Sequence, residues 1–194
     1  MDTQAIVDFA LQVDHLEALP RMGYLMRGIS HPESVAAHVY GVTFWAMLLA
    51  DRIAGADTLK ALRMALLHEL GEIKLTDVPK IAEKYLPAGA KEQAETAIAN
   101  ELLDILGGDG EAFKEMFAEF QAAESLEARI VRAADKLQMM LKVLRYEMDG
   151  HRGILGFWNY EPNFRDYGLP EARDLFEELR RQRPQKLNDN SVEP

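Results

Sequence analysis

The stretch from residue 65 to residue 77 contains several side chains that could take part in catalysis. Its sequence is ALLHELGEIKLTD, with His68, Glu69 and Glu72 followed by Asp77. If the stretch is helical, each residue advances by about 100°, and the histidine and the two glutamates share an arc of about 100°. Imidazole and carboxylate groups bind metal ions and transfer protons. A solvated helix end with incidental charges has the same composition, so this stretch alone does not distinguish a site from a surface turn.

Two further polar side chains lie on apolar segments elsewhere in the chain. His38 is at the edge of an apolar stripe, and Asp135 lies opposite the main apolar seam of a long segment, on a side that also carries apolar residues. Burying an isolated carboxylate is costly, so Asp135 needs a partner, which is Arg132, Lys136 or a metal ion. His38 is either a core histidine with a hydrogen-bond partner or a metal ligand.

The pattern of apolar residues predicts an all-α helical bundle of about six or seven helices. Apolar residues recur every three or four positions, and no sustained alternation indicates strands. Ser34 and Ser125 are predicted to cap two of the helices. The second helix is apolar around most of its surface, which predicts burial on several sides. The predicted helices span about 4–19, 34–54, 58–73, 91–106, 111–123, 126–147 and 170–182.

The composition is typical of a single-domain globular protein, predicted over residues 1–182 with a polar, disordered tail at 183–194. The chain has 194 residues, 48% hydrophobic and 28% charged, and a formal net charge of −10. An acidic chain without a concentrated basic patch is not suited to bind polymeric nucleic acid. The absence of cysteine excludes disulfides and thiol catalysis. Neither a membrane-spanning run nor a signal peptide is evident, so we expect no membrane partner and a cytoplasmic location.

Four motifs, in this order, resemble those of the HD-domain metal-dependent phosphohydrolases, in particular their 5′-deoxynucleotidase branch. The segment RMGY at 21–24 is similar to an R-x-G-W element, and ESVAAH at 33–38 is similar to E-S-V-x-x-H. The segment HELGEIKLTD at 68–77 is similar to H-D-x-x-E-x-x-x-x-D, and ADK at 134–136 is similar to the segment of the late ligand aspartate. Each motif is weak alone, but four in this order and at this spacing are specific.

The resemblance implies an HD-domain fold, a homodimer, and hydrolysis of the 5′-phosphate of (deoxy)nucleoside monophosphates. It implies that Glu72 transfers a proton and that Asp77 orients the water or the sugar hydroxyl. Arg21, or Arg27 in its place, would bind the phosphate, and Tyr24 would contact the sugar. One divalent ion is implied, and a nitrogen and oxygen donor set suits Mn, Co, Ni, Zn or Mg. The four ligands implied are His38, His68, Glu69 and Asp135.

Two residues differ from the family pattern. Glu69 stands in the place of the motif aspartate and reaches one methylene further, while Tyr24 stands in the place of a tryptophan. Two alternatives to the nucleotidase therefore stay open. One is a catalytically weak or silent HD-like protein that binds a nucleotide, and the other is a phosphohydrolase for another small phosphate ester.

Overall fold

The computed structural model describes residues 2–184, and the chain there consists of helices joined by short connections. The α-helices are α1 Thr3–Asp14, α2 Met22–Leu25, α3 Val35–Ala50, α4 Thr58–Leu67, α5 Glu72–Leu75, α6 Lys80–Glu83, α7 Ala90–Asp104, α8 Glu111–Ala122, α9 Leu126–Met148 and α10 Pro170–Arg181. Short 3-10 helices lie at His15–Glu17, Gly107–Gly110, Leu155–Asn159 and Glu161–Phe164.

The predicted all-α fold is confirmed. Within residues 2–184, seven helices have ten or more residues, and the one bridge between extended residues joins Pro20 to Ser34. The predicted caps are present, because the hydroxyls of Ser34 and Ser125 accept hydrogen bonds from backbone N–H groups one turn into α3 and α9. Each such cap supplies a partner to an N–H group that the helix itself leaves unpaired.

Helix α9 is the central element of the fold. It packs against α3, α4, α8 and α10, and most of its main seam is buried together with its second apolar face. A second group of core residues lies between α7, α8 and the residues that follow α4. The end of α4 therefore lies where the two parts of the core meet, and it is held from both sides.

Three predicted elements differ from the observed ones. The helix predicted over 58–73 ends at Leu67, and turns bonded from residue i to i+3 lead into α5. The helix predicted over 4–19 ends at Asp14 and continues as a 3-10 turn. Helix α3 was predicted to be buried on several sides, and most of its apolar residues are buried, but one stripe of its apolar side chains faces solvent. Its exposed members are Tyr40, Phe44 and Leu48.

The two ends of the described chain bear on two further predictions. Residues 185–194, most of the predicted tail, lie outside the described residues. Arg183, where that tail was predicted to begin, donates two hydrogen bonds to the Glu147 carboxylate and so belongs to the folded body. Between residues 2 and 184, we find no helix that is both long enough and apolar enough to span a membrane.

Candidate metal centre

The structure brings the four predicted ligands together from three helices. His38 lies in the first turn of α3, His68 and Glu69 follow the last turn of α4, and Asp135 lies in the middle of α9. The ligand atoms of His38, His68 and Glu69 lie within 4.8 Å of one another. Asp135 joins them, because its Oδ1 is 3.3 Å from Nε2 of His38.

Both histidines are buried and present the same ring nitrogen to this cluster. Nδ1 of His38 is 2.5 Å from Oε1 of Gln138, and Nδ1 of His68 is 2.7 Å from the carbonyl oxygen of Ala65. Each Nε2 is buried and has no hydrogen-bond partner. A buried polar atom without a partner is rare in folded proteins, and two such nitrogen atoms at one place are suited to bind an ion. Metal-binding histidines typically donate Nδ1–H to an acceptor and bind the ion through Nε2.

The spacing of the ligand atoms agrees with a small coordination sphere. Oε1 of Glu69 lies 3.4 Å from Nε2 of His38 and 3.5 Å from Nε2 of His68. Two atoms that bind a metal at about 2.1 Å with tetrahedral angles are about 3.4 Å apart. The longer glutamate side chain therefore reaches both imidazoles, and the residues present fit a divalent ion.

Glu69 also contacts a cation, since its Oε1 accepts a hydrogen bond of 3.2 Å from Nη1 of Arg21. Burial opposes ionisation of Glu69, but the imidazoles of His68 and His38 and the guanidinium of Arg21 outweigh it and hold its pKa below the ordinary value. Asp135 is likewise held ionised. Burial again opposes ionisation, whereas Lys136, at 3.2 Å, and His38 lower the pKa of Asp135.

The two histidines differ in their acid–base behaviour. Burial lowers the pKa of His68, so its imidazole favours the neutral form that a metal ligand needs. Burial and the charge of Arg21 also oppose protonation of His38. The nearby carboxylates of Asp135 and Glu69 nevertheless raise the pKa of His38.

Glu72 begins α5 and turns into the same region. Its side chain is 2% exposed and its Oε2 has no partner. Burial first, and then the charge of Glu69, raise the pKa of Glu72 well above that of an ordinary carboxyl group. A raised pKa favours the protonated form of Glu72, which is the form that a proton donor requires.

A close contact holds the turn between the histidine and this glutamate. A Cβ atom added to Gly71 would lie 2.6 Å from Cα of Glu95, so only glycine allows α7 to approach the turn this closely. One turn before Glu95 on α7, Lys91 pairs with it at 3.2 Å. Burial opposes the charge of Lys91, but Glu95, then Glu69 and Glu72, raise the pKa of Lys91. Beside Arg21 and Lys136, Lys91 is therefore a third cation near the site, and its sequence position alone did not indicate it.

Asp77 lies on the other side of Arg21. Its Oδ1 is 3.5 Å from Nη1 of Arg21, and its Oδ2 accepts a hydrogen bond of 2.5 Å from the backbone N–H of Met22. The preceding residue, Thr76, has a φ of 66°. A β-branched residue at this φ is strained, and such strain occurs mainly at functional sites. Asp77 thus contacts both the first residue of α2 and Arg21, and Arg21 in turn contacts the ligand Glu69.

The other two predicted substrate-binding residues are placed differently. Tyr24 is 2% exposed, its hydroxyl donates to the carbonyl of Met139 at 3.0 Å, and its ring packs against Tyr146 and Phe157. Arg27 is exposed. Neither makes a contact with the four ligands in the described structure, so their substrate roles stay predictions.

Gln138 and Glu33 also belong to the site, and the sequence analysis gave them no role. Gln138 binds His38, and its own amide nitrogen donates to Oε2 of Glu33 at 2.9 Å. The spacing of Gln138 from Asp135 could have revealed it, because residues three apart share a helix face. Glu33 is part of the ESVAAH motif, but its sequence position alone does not show what it contacts.

Comparison with known sequences agrees with this geometry. A family model described as HD domain matches residues 13–158. The chain belongs to the HD-domain family. An HD domain implies a divalent metal ion, and the group of His38, His68 and Glu69 has donor atoms suited to bind one. The predicted enzyme class, a metal-dependent phosphomonoester hydrolase, is confirmed by the relatives and solved structures that follow.

Two relatives show how far the similarity extends. The 5′-deoxynucleotidase HDDC2 of Homo sapiens is 26% identical over 193 residues, which cover 98% of this chain and 92% of that protein. The 5′-deoxynucleotidase hdd1 of Schizosaccharomyces pombe is 30% identical over 146 residues, which cover 74% of this chain and 73% of that protein.

Solved structures show the same fold. A conserved hypothetical protein from Pyrococcus furiosus is 36% identical, with a TM-score of 0.77 over 90% of this chain and 99% of that chain. A predicted metal-dependent phosphohydrolase from Magnetospirillum magnetotacticum is 25% identical, with a TM-score of 0.70 over 93% of this chain and 95% of that chain.

Proposed function

We propose that this HD-domain protein removes the 5′-phosphate from (deoxy)nucleoside monophosphates. One observation carries the proposal: two buried imidazole Nε2 atoms without partners face two carboxylates that are held ionised. The named activity of the relatives, 5′-deoxynucleotidase, supports the choice of substrate.

In this proposal His38, His68, Glu69 and Asp135 hold one divalent ion, which is Mn, Co, Ni, Zn or Mg. Such an ion, when bound, polarises a phosphoryl group and lowers the pKa of a water molecule. The fit of Glu69 argues against a site spoiled by the longer side chain, since its Oε1 lies within 3.5 Å of both imidazoles. The protein therefore supplies a complete donor set without the motif aspartate.

Arg21 binds the phosphate of the substrate. Its contacts with Glu69 and Asp77 both use Nη1, so Nη2 can donate to a phosphate oxygen. Burial opposes the charge of Arg21, but Asp77 and then Glu69 raise its pKa, so the guanidinium stays charged. Asp77, which is held against Met22 and Arg21, orients the attacking water or the sugar hydroxyl.

Glu72 delivers the proton that the leaving 5′-oxygen needs. Burial and the charge of Glu69 raise the pKa of Glu72, as suits a proton donor, and its buried Oε2 has no hydrogen-bond partner. General acid catalysis of this kind is worth about 10²–10⁴-fold in rate.

The test compares phosphate release from 5′- and 3′-monophosphates, with deoxyribose or ribose, in the presence of each of the five metals. We expect release from 5′-monophosphates by the wild-type protein, loss to background in His68→Ala, and full activity in the matched control His31→Ala, whose histidine is exposed. Release that does not depend on an added or bound metal would contradict the proposal.

Two further outcomes distinguish the alternatives. A silent wild type that gains activity in Glu69→Asp would identify a site spoiled by the glutamate. Faster release from glycerol phosphate or p-nitrophenyl phosphate than from any nucleotide would identify a phosphohydrolase for another ester. The predicted homodimer stays a prediction, and the exposed stripe of Tyr40, Phe44 and Leu48 on α3 is an apolar face that could serve it.

A further inference from the structure

A series of interacting side chains runs from His38 through Gln138 and Glu33 to the partly exposed Lys142. Nδ1 of His38 meets Oε1 of Gln138, and Nε2 of Gln138 donates to Oε2 of Glu33 at 2.9 Å. Nζ of Lys142 lies 3.2 Å from the same Glu33 oxygen. Gln138 and Glu33 are buried, and the backbone N–H of Glu33 donates to the hydroxyl of Tyr146 at 3.0 Å. The glutamate is therefore held in place from both its side chain and its backbone.

The carboxylate of Glu33 determines the direction of every hydrogen bond in this series of side chains. A carboxylate only accepts hydrogen bonds, so the side of Gln138 that faces Glu33 must be its NH₂ group. The amide oxygen then faces His38 and also can only accept. Nδ1 of His38 must therefore carry the hydrogen, which leaves the lone pair of a neutral imidazole on Nε2, the atom that faces Glu69 and Asp135.

The imidazole of His68 also carries its hydrogen on Nδ1, but the acceptor there is not a side chain. Its Nδ1 donates to the carbonyl of Ala65, which lies in the last turn of α4, where carbonyl groups lack partners within the helix. His38 lies in the first turn of α3, where the unpaired backbone groups are N–H donors. The first turn of α3 does not offer His38 a carbonyl group of this kind, and the side chain of Gln138 supplies the acceptor.

We propose that Gln138 and Glu33 are positioning residues of the metal centre, which hold His38 in the tautomer whose Nε2 can bind the ion. This inference rests on the proposed metal centre. Glu33→Gln keeps the shape of the side chain but can offer either an oxygen or an NH₂ group to Gln138. When it offers NH₂, the amide of Gln138 turns over, and Nε2 of His38 receives the hydrogen and can no longer bind a metal.

The first measurement is calorimetric titration of the metal-free protein with Zn²⁺ and Mn²⁺. We expect Gln138→Met to bind each ion about 10–100-fold more weakly, the range found for partners of metal-binding histidines. We expect Glu33→Gln to bind each ion more weakly by the reciprocal of the fraction of His38 that keeps its hydrogen on Nδ1. Thr43→Val is the matched control. It removes the hydrogen bond from the Thr43 hydroxyl to the backbone carbonyl of Val39 on α3 and leaves the series of side chains from His38 to Glu33 intact. We expect its affinity to match the wild type.

The second measurement is ¹⁵N NMR of the imidazole of His38 in the metal-free protein, at a pH where the ring is neutral. We expect the hydrogen on Nδ1 in the wild type and a mixture of tautomers in Glu33→Gln. Wild-type affinity and an unchanged tautomer in Glu33→Gln would overturn the inference. A wild type that binds no divalent ion would overturn the proposed function instead, and the tautomer would still test the direction of the hydrogen bonds.

Discussion

The metal centre is built from two regions of different kinds. The α3–α9 pair supplies His38 and Asp135 from long, regular helices, one of them the 23-residue α9. The turn region, which we define as residues 68–77, supplies His68 and Glu69 as well as Glu72 and Asp77. It consists of turns, the four-residue α5 and the strained Thr76.

The two regions hold their functional groups by different means. In the α3–α9 pair, the imidazole of the ligand His38 is oriented by Gln138 on α9, which is itself held by Glu33 just before α3. In the turn region the groups are oriented by backbone contacts, namely the Ala65 carbonyl, the N–H of Met22 and the approach of α7 to Gly71. We infer that metal binding depends on both regions, and that proton transfer depends on the turn region.

The largest effect should come from the turn region. We expect Glu72→Gln to lower kcat by about 10²–10⁴-fold with little change in KM, because glutamine keeps the shape but has no proton to give. Steady-state kinetics of the metal-loaded protein measures both. Metal affinity should stay at the wild-type value, as should all parameters of the control Glu101→Gln, whose side chain is exposed and lies on α7. An unchanged kcat in Glu72→Gln would remove this residue from the mechanism.

The close contact at the turn can be broken directly. We expect Gly71→Ala to destabilise the protein by about 1–3 kcal/mol and to lower kcat, because the new Cβ meets backbone atoms of Glu95 that cannot move alone. Urea unfolding and kinetics measure the two effects. Gly108→Ala is the control, since a Cβ there would meet no atom within 4 Å. Equal behaviour of the two variants would mean that the turn does not need this contact.

The matching glycine of the helix pair sharpens the comparison. A Cβ on Gly41 would lie 2.7 Å from Cγ of Gln138, which is a side-chain atom. In Gly41→Ala this side chain can move, so stability should fall less than in Gly71→Ala. The movement of Gln138 would disturb its hydrogen bond with His38. We therefore also expect Gly41→Ala to bind the metal ion more weakly than the wild type.

A smaller effect is the dependence of stability on pH in the presence of a chelator. Burial and Glu69 raise the pKa of Glu72 in the folded state, while the unfolded chain has the ordinary value. The folded state thus binds this proton more tightly, so its contribution to stability is present at low pH and is lost as pH rises from the ordinary value towards the raised one. The slope is at most about 1.4 kcal/mol per pH unit.

Urea unfolding of the wild type and Glu72→Gln across this pH range measures that contribution. We expect the wild type to lose stability relative to the variant as pH rises, because glutamine does not ionise. Parallel curves for the two proteins would show that the environment of Glu72 does not favour its protonated form.

The sequence by itself determined the helical class and the identity of the candidate ligands. Apolar residues at intervals of three and four positions define helices locally, and the serine caps act within one turn, so neither needs long-range information. The order of the motifs was also sufficient to predict an HD-domain phosphohydrolase, including the difference at Glu69. These features are local or depend on residue type, and residue type is what a sequence contains.

Only the tertiary structure decided how these groups are oriented. The helix pattern continues to residue 73, yet α4 ends at Leu67, because the turn is held between two parts of the core and against α7 at Gly71. Gln138 contacts His38 although it lies about a hundred residues away in the chain. Glu33, just before α3, acts on His38 through Gln138. Hydrogen-bond direction, burial and pKa depend on such distant neighbours, and periodicity along a single segment does not reveal them.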